Sequence, residues 1–280
     1  MNKFQSIKKP IVFTSTLLLA AILAGCGGSS GGGTAVQGPG PTGAVCSGAG
    51  CIPLGSTATY VILANTAITN SPTSAITGDL GISPNSSAAI TGLALTVNAT
   101  NDFSTSAQVT GRIYAPDYTG GQASSAGTTP AKMTAAQNDK VTAYNAATAV
   151  TPASAPPNLN LGAGTVTGQT FIAGTWTWNS NVSLTGDNTI SGSATDVFIF
   201  QVNGTLSQSN GTKIILSGGV LPQNIFWVVT GATTIGTTAQ FAGILLDKTA
   251  ITLGTSATVK GRLQAQTAVT LNGTNTVTIP

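Results

Sequence analysis

The stretch that decides the fold is ILLDKTAITLGTSATVKG (244–261), read with RLQAQTAVTLNGTNTVTIP (262–280) directly after it. Thr-Ala-aliphatic-Thr-Leu occurs in both, at 249–253 and 267–271. Upstream, IFWVVTGATTIGTTAQFAG (225–243) has the same layout, so the units begin at Ile225, Ile244 and Arg262 with periods of 19 and 18 residues. Each unit reads as an apolar strand, a Thr-Gly/Ala-X-Thr step, a Gly or Asn turn and a second Thr-rich strand. A period of that size predicts a solenoid, in which each coil buries its inner face against its neighbours.

Earlier segments fit more loosely. FIFQVNGTLSQSNGTKIILSGG (198–219) forms a longer coil that places Asn203 and Thr205 near the Thr column. WTWNSNVSLTGDNTISG (176–192) offers Ser180 and Ser183 there. VILANTAITN (61–70) repeats the motif as Thr66-Ala67-Ile68-Thr69, far from its best matches in the chain. One segment breaks the β pattern. TPAKMTAAQNDKVTAYNAATAV (129–150) is Ala-rich, starts with Thr129-Pro130 and is followed by Thr151-Pro152. Met133, Ala136, Lys140 and Tyr144 recur at helical spacing, which predicts a helix over about 130–149 lying along the coils.

Only 6% of the 280 residues are charged, against roughly 25% in an average soluble protein. There is no His and no Glu. Of the ten basic residues, Lys3, Lys8 and Lys9 fall in the leader, which leaves seven against seven Asp. A neutral body argues against nucleic acid or an anionic membrane surface as partner.

Residues 1–25 read as a lipoprotein signal peptide, with three lysines followed by an apolar run too short for a comfortable membrane span. It ends in Leu23-Ala24-Gly25-Cys26, which resembles the bacterial lipobox and implies lipidation of Cys26. Gly27 after the cysteine resembles the signal for the outer membrane of a Gram-negative cell, so the protein is expected exported, lipid-anchored and at the cell surface. Membrane contact is expected only through that lipid. Residues 26–52 read as the lipidated Cys plus a flexible Gly/Ser/Pro linker, and 53–280 as the solenoid domain. Cys46 and Cys51 flank Ser-Gly-Ala-Gly and are read as a disulfide in an oxidising compartment, with two free thiols as the alternative.

Taken in order, AITGDLGISP (75–84), GRIYAPDY (111–118), DVFIFQV (196–202), NIFWVV (224–229), FAGILL (241–246) and GRLQAQTAVTLN (261–272) resemble the signature segments of the microbial ice-binding (antifreeze) proteins. The resemblance runs from about Leu54 to Pro280. It implies a mostly β fold: a discontinuous, right-handed, triangular β-helix with one α-helix packed alongside. It also implies adsorption to an ice surface through Thr-Ala/Gly-X-Thr/Asn steps on one flat face. The steps here are Thr66 to Thr69, Thr185 to Asn188, Thr230 to Thr233, Thr249 to Thr252 and Thr267 to Thr270. The candidate ice-contacting residues are therefore Thr66, Thr69, Ser180, Ser183, Asn203, Thr205, Thr230, Thr233, Thr249, Thr252, Thr267 and Thr270. Thr237, Thr255, Thr258, Thr274 and Thr276 could line a second face.

Residues two apart on a strand lie about 6.6 Å apart, and coils stack about 4.8 Å apart. Equivalent threonines would thus form a two-dimensional grid. Thr is stiff at χ1, so its methyl and hydroxyl hold fixed positions. The same threonines could instead form a structural ladder, hydrogen-bonded between coils. An adhesin or structural lipoprotein binding a glycan or protein is the rival reading. It would need an aromatic or charged patch on the exposed face.

Enzymatic chemistry is not expected. Asp79, Asp102, Asp117, Asp139, Asp187 and Asp196 are scattered among turn residues, and Asp247-Lys248 reads as an exposed pair at a coil corner. Trp176, Trp178 and Trp227 sit in apolar strands and read as core. Arg112 and Arg262 each follow Gly and read as bridges between coils. No cofactor or metal site is expected, and the protein is expected to be a monomer.

Overall fold

Short apolar runs punctuated by Gly, Asn and Thr fold into strands of two to eight residues that stack on one another. The computed structural model describes residues 43–71, 73–120 and 128–280. The expected signal peptide, Cys26 and the linker up to residue 42 lie outside the described residues. The strands assemble into sheets of twelve, eight and three. Their pairings are parallel, apart from those of Ser104–Ser106 with Thr96–Val97 and with Val109–Tyr114. Among the described residues the fold is mostly β, solenoid-like, with one long helix.

One coil shows the plan. The first half of Gln240–Asp247 aligns with Thr258–Lys260, Thr276–Thr278 and, beyond them, Ala75–Thr77. Its second half aligns with Ile225–Val229 on one side and the second half of Thr258–Ala265 on the other. Gly243, at φ +118°, sits where the strand changes from one ladder to the next. A corner at 248–250 then leads into Ile251–Leu253 of the eight-stranded sheet, and a turn at 254–257 reaches the next coil. The three-stranded sheet of Thr170–Phe171, Asn188–Ser191 and Ile214–Ser217 touches this coil at the Lys213–Gln240 bridge.

The first and last coils meet. Tyr60–Ala64 pairs with Thr258–Ala265, and Ala67–Ser71 pairs with Ala268–Asn272. Two copies of the motif lying some 200 residues apart in sequence are thus neighbours in space, with Thr66 N donating to Thr267 O at 3.0 Å.

The interior is filled by columns in register. One runs Trp176, Phe200, Trp227, Leu245, Leu263, Ile62, Leu80, Ile113. Phe200 and Trp227 stack at 4.1 Å between ring centroids, and Phe171 meets Phe200 edge-on at 5.0 Å. All three tryptophans are buried, which removes them as an exposed sugar platform.

The helix spans Thr129–Ala149 and buries Met133, Ala136, Lys140, Ala143, Tyr144 and Ala147. That stripe covers the outer side of the strands carrying Ile199, Phe226, Val228, Ile244 and Leu246, so these strands are apolar on both faces. Lys140 reaches through this contact, donating to Asn65 Oδ1 and to Ala265 O at 2.6 Å. Among the described residues no acid accompanies it, and burial pulls its pKa down to about 7. A neutral amine has two N–H donors, which matches those two acceptors.

Two expectations are corrected. Residues 44–52 are not a free linker: Ala44 N donates to Pro280 O, Ser47 N donates to Asn224 Oδ1, and Ile52 packs under the helix. The Cys46–Cys51 disulfide closes this segment into a loop, and apolar docking overrides its Gly/Ser composition. Asp247 is not an exposed partner of Lys248. It lies inside, at 1% exposure, while Lys248 is exposed. The strand alternation explains this: Ile244 and Leu246 face the helix, so Leu245 and Asp247 face the interior. Arg262 does bridge, donating to Ala58 O and Ala44 O. Arg112 lies over the Phe103 ring at 4.2 Å.

Two predictions follow from the packing. A Cβ at Gly261 would stand 1.8 Å from Gly243 O, a backbone atom of the neighbouring coil. Gly261→Ala should therefore cost about 2 kcal/mol or more, read as a fall in the urea midpoint. The second concerns Lys140. The unfolded chain keeps that proton to about pH 10.4, whereas the folded chain releases it near 7. The group's contribution to stability should rise as pH increases from 7 toward 10 and be lost as pH falls through 7. Melting of wild type and Lys140→Met at several pH values in that range should show a gap that changes in the wild type's favour. A pH-independent gap would contradict the neutral amine.

Candidate functional site

The eight-stranded sheet carries the candidate site. Its strands read inward–outward–inward, as in Val182-Ser183-Leu184, Ile251-Thr252-Leu253 and Val269-Thr270-Leu271, with the flanking residues buried and the central one turned out. Parallel register stacks those central residues into one column: Thr165, Ser183, Ser207, Thr234, Thr252, Thr270, Thr69, Thr91. Each of the eight strands gives one hydroxyl.

The columns to either side are small. Toward the corner lie Asn181, Thr205, Ala232, Ala250, Ala268, Ala67 and Ala89. On the far side lie Thr185, Ser209, Gly236, Gly254, Asn272 and Ser71. None of these residues is charged. The face is thus one row of hydroxyls flanked by alanine, glycine and small uncharged polar residues.

Hydroxyl partners separate a structural ladder from an open one. Ser183 Oγ and Ser207 Oγ are 3.0 Å apart and bond to each other. Among the described residues, the hydroxyls of Thr234, Thr252, Thr270, Thr69 and Thr91 make no protein hydrogen bond. They remain free for water. The column is therefore not a Thr–Thr ladder holding the coils together over most of its length; the backbone does that.

The twelve sequence-derived candidates fall into distinct places. Thr69, Ser183, Thr252 and Thr270 stand on the outward column. Thr66, Thr249 and Thr267 stack at the corner leading into it, with Ser180 at the same corner two coils beyond Thr249's neighbour. Thr205 lies on the alanine column. Asn203 and Thr230 stack with each other and with Lys248, one residue further from the face. Thr233 is fully buried and aligns with Leu206 and Ile251, so its neighbour Thr234 holds the surface position. Thr165, Ser207, Thr234 and Thr91 complete the column and were missed. The signal that finds them is the triplet itself, a small polar residue between two inward ones, as in Leu206-Ser207-Gln208 and Thr233-Thr234-Ile235. Of the second set, Thr258 and Thr276 align on the ladder with Gln240, while Thr237, Thr255 and Thr274 are exposed at the turns before it. The Thr185–Asn188 step splits, because Asn188 is buried in the three-stranded sheet.

The aspartates brace loops. Asp79 Oδ1 accepts from Arg112 N, Asp139 Oδ2 from Ser56 N and Oγ, Asp117 from Ser87, Asp187 from Lys213 N, Asp196 from Ser193 N, and Asp102 from Thr100 Oγ1. Among the described residues no three acidic, Cys or His side chains gather where a metal could bind, and no helix is long and apolar enough to cross a membrane.

This architecture and sequence have known counterparts. An ice-binding protein K3-B1 of Typhula ishikariensis is 44% identical over 206 residues, covering 73% of this chain and 80% of that protein. The K1-A protein of the same organism is 41% identical over 241 residues, covering 85% and 88%. The solved structure of an ice-binding protein with antifreeze activity from an Arctic yeast superposes with a TM-score of 0.75 at 39% identity, over 82% of this chain and 94% of that one. That of a Shewanella frigidimarina ice-binding protein domain gives 0.70 at 28% identity, over 85% and 98%. The ice-binding-like family model matches residues 62–278, and the chain belongs to that family.

Proposed function

We propose that the chain binds ice through the eight-stranded face and so restrains ice growth or recrystallisation, or holds the cell to ice. The observation that carries this is the in-register column of outward hydroxyls, most of them without protein partners, set among small uncharged residues. Strand spacing fixes their repeat at about 4.8 Å along the column. Stiff χ1 angles fix each methyl and hydroxyl in place. Water caged over the methyls and anchored by the hydroxyls can be ordered before contact and join an ice plane. Each contact is weak, but a rigid array loses little conformational entropy on binding. Absence of charge on the face favours the same outcome, since long hydrated side chains would disorder that layer.

The finer architecture is inferred as a right-handed, triangular β-helix, consistent with three ladders per coil. Surface chemistry rather than catalysis is the activity, because six aspartates are committed to loops and the seventh is interior. Glycan adhesion is disfavoured by the burial of all three tryptophans. The ice-contacting set is proposed as Thr69, Thr91, Thr165, Ser183, Ser207, Thr234, Thr252 and Thr270, with Thr66, Thr249 and Thr267 at its border.

We also propose that Cys26 is lipidated after cleavage of residues 1–25, and that the exported protein is displayed, as a monomer, on the outer membrane of a Gram-negative cell. Residues 27–42 would then be the tether. Cys26→Ser should abolish incorporation of radiolabelled palmitate and release the protein from the membrane fraction. Unchanged labelling would exclude Cys26 as the acceptor.

The face is tested by bulk. Thr234/Thr252/Thr270→Tyr places three rings in the column and should reduce thermal hysteresis to a small fraction of wild type with the circular dichroism unchanged. Thr258/Thr276→Tyr, on the other ladder, should leave it intact. The reverse pattern would move the ice-binding surface to that ladder. No hysteresis, crystal shaping or recrystallisation inhibition in folded wild type would reject ice binding itself.

A further inference from the structure

Asp247 enters the interior where the helix-covered ladder turns toward the hydroxyl face. Its register neighbours, Val229 and Ala265, both belong to the apolar core. Neither of its carboxyl oxygens meets a protein donor in hydrogen-bond geometry, and both are sealed from solvent. Across one coil spacing, Thr233 is the only polar residue in the inward column Val182, Leu206, Thr233, Ile251, Val269, Ile68. Its hydroxyl is also buried without a partner. Thr233 lies close enough to the Asp247 carboxyl for its hydroxyl and amide to favour the charged form against burial, although neither meets the carboxyl in good hydrogen-bond geometry. Its amide is already committed to Ala250 O at 2.9 Å. Thr249, two residues beyond Asp247, buries a third unpartnered hydroxyl at the same corner.

We propose that Asp247 and Thr233, with Thr249 at the rim, form an internal water-binding site that bridges two adjacent coils beneath the entry to the hydroxyl face. A buried water needs two to four polar partners and room to sit. The partners are the two carboxyl oxygens and the Thr233 hydroxyl, which lie near one another without a hydrogen bond of good geometry between them. The side chains that follow Asp247 in its column, Ala265 and then Ala64, are small, as such a site requires. Water suits this site better than a cation. The corner offers a single carboxyl, and burial pushes that carboxyl's pKa well above its usual range, which favours the neutral acid. A neutral acid donates one hydrogen bond and accepts another, and a hydroxyl does the same. One water can therefore complete both. Asp247 is then a structural residue whose water ties the 247–249 corner to the neighbouring coil.

The measurement is water ¹⁷O relaxation dispersion on the purified protein, paired with a high-resolution crystal structure. The expected result is a long-lived internal water and a density peak within hydrogen-bond distance of Asp247 and Thr233. Both should persist in Asp247→Asn and disappear in Asp247→Leu/Thr233→Val. Thr234→Val, one residue away on the surface, should leave both unchanged. A folded wild-type protein without that water overturns the proposal, as does a peak that behaves as a cation and vanishes in alkali-free buffer. Wild type and Asp247→Asn decide the matter even if the double variant does not fold. Because the readout is water residence, its failure is separable from failure of ice binding.

Discussion

Parallel register is the constraint on which everything else depends. Backbone hydrogen bonds lock each strand to its neighbours one residue at a time, and side chains alternate across the sheet with a period of two. Filling the interior with Val, Leu and Ile at matched positions therefore fixes every outward position as well. The hydroxyl column is a consequence: once Val182, Ile251 and Val269 are aligned inside, Ser183, Thr252 and Thr270 are aligned outside. A slip of one residue would exchange the two sets and destroy core and face together. Selection for a packed interior and selection for a regular surface thus act through the same register.

The legible part of the sequence was the part where coil length is constant. Ile244–Leu246 and Arg262–Gln264 are true equivalents, 18 residues apart, and their Thr-Ala-X-Thr steps landed on the same corner and the same column. One coil earlier the likeness misled. Ile225 and Ile244 look like matching starts, but the structure pairs Phe226 with Ile244, so the real period is again 18. That single residue is why Thr233, rather than Thr234, was placed on the surface. Upstream the coils lengthen, with Ser183 and Ser207 separated by 24 residues. The extra length lies in turns, which leave no periodic trace, and Ser207 was lost behind Thr205. The helix was legible because Met133, Ala136, Lys140 and Tyr144 obey a local 3.6-residue rule that no distant strand can alter. Asp247 was not legible, because its burial follows from a helix covering the opposite side of its strand.

The face owes its flatness to what it lacks as much as to its threonines. Alanine on one flank and glycine or small polar residues on the other leave the hydroxyl row proud of its surroundings. The stabilising work is done elsewhere. The aromatic stack of Phe200 on Trp227, the helix over Phe226 and Ile244, and the disulfide-closed segment beside Asn224 all act on the interior or on other sides. Most of the hydroxyl face is thereby left without a structural duty, and this separation is what allows its threonines to stay unpartnered, the Ser183–Ser207 pair apart.

The polar groups buried around the closing coil answer a difficulty that any regular solenoid creates. Coils built from similar Val, Ile and Leu columns are nearly interchangeable, so apolar packing alone does not tell the N-terminal coil where to dock. Here the strand Thr258–Ala265 presents groups whose hydrogen bonds to the first coil form in one register, with Arg262 Nη1 left over. Gln264 Nε2 donates to Tyr60 O and Gln264 Oε1 accepts from Thr57 Oγ1 at 2.7 Å; Arg262 donates to Ala58 O; Ala265 O accepts from Lys140 while the same amine holds Asn65. Shifting Tyr60–Ala64 by one residue would leave a buried guanidinium, amide and amine without partners, a penalty of about 1–3 kcal/mol for each neutral group and more for a charged one. Such groups add little net stability, since burial costs them much of what their hydrogen bonds return. Their value is discrimination between registers. Lys140 and Arg262 at this junction favour the register that aligns Thr69 with Thr270, and so carry the hydroxyl column unbroken from the last coil onto the first.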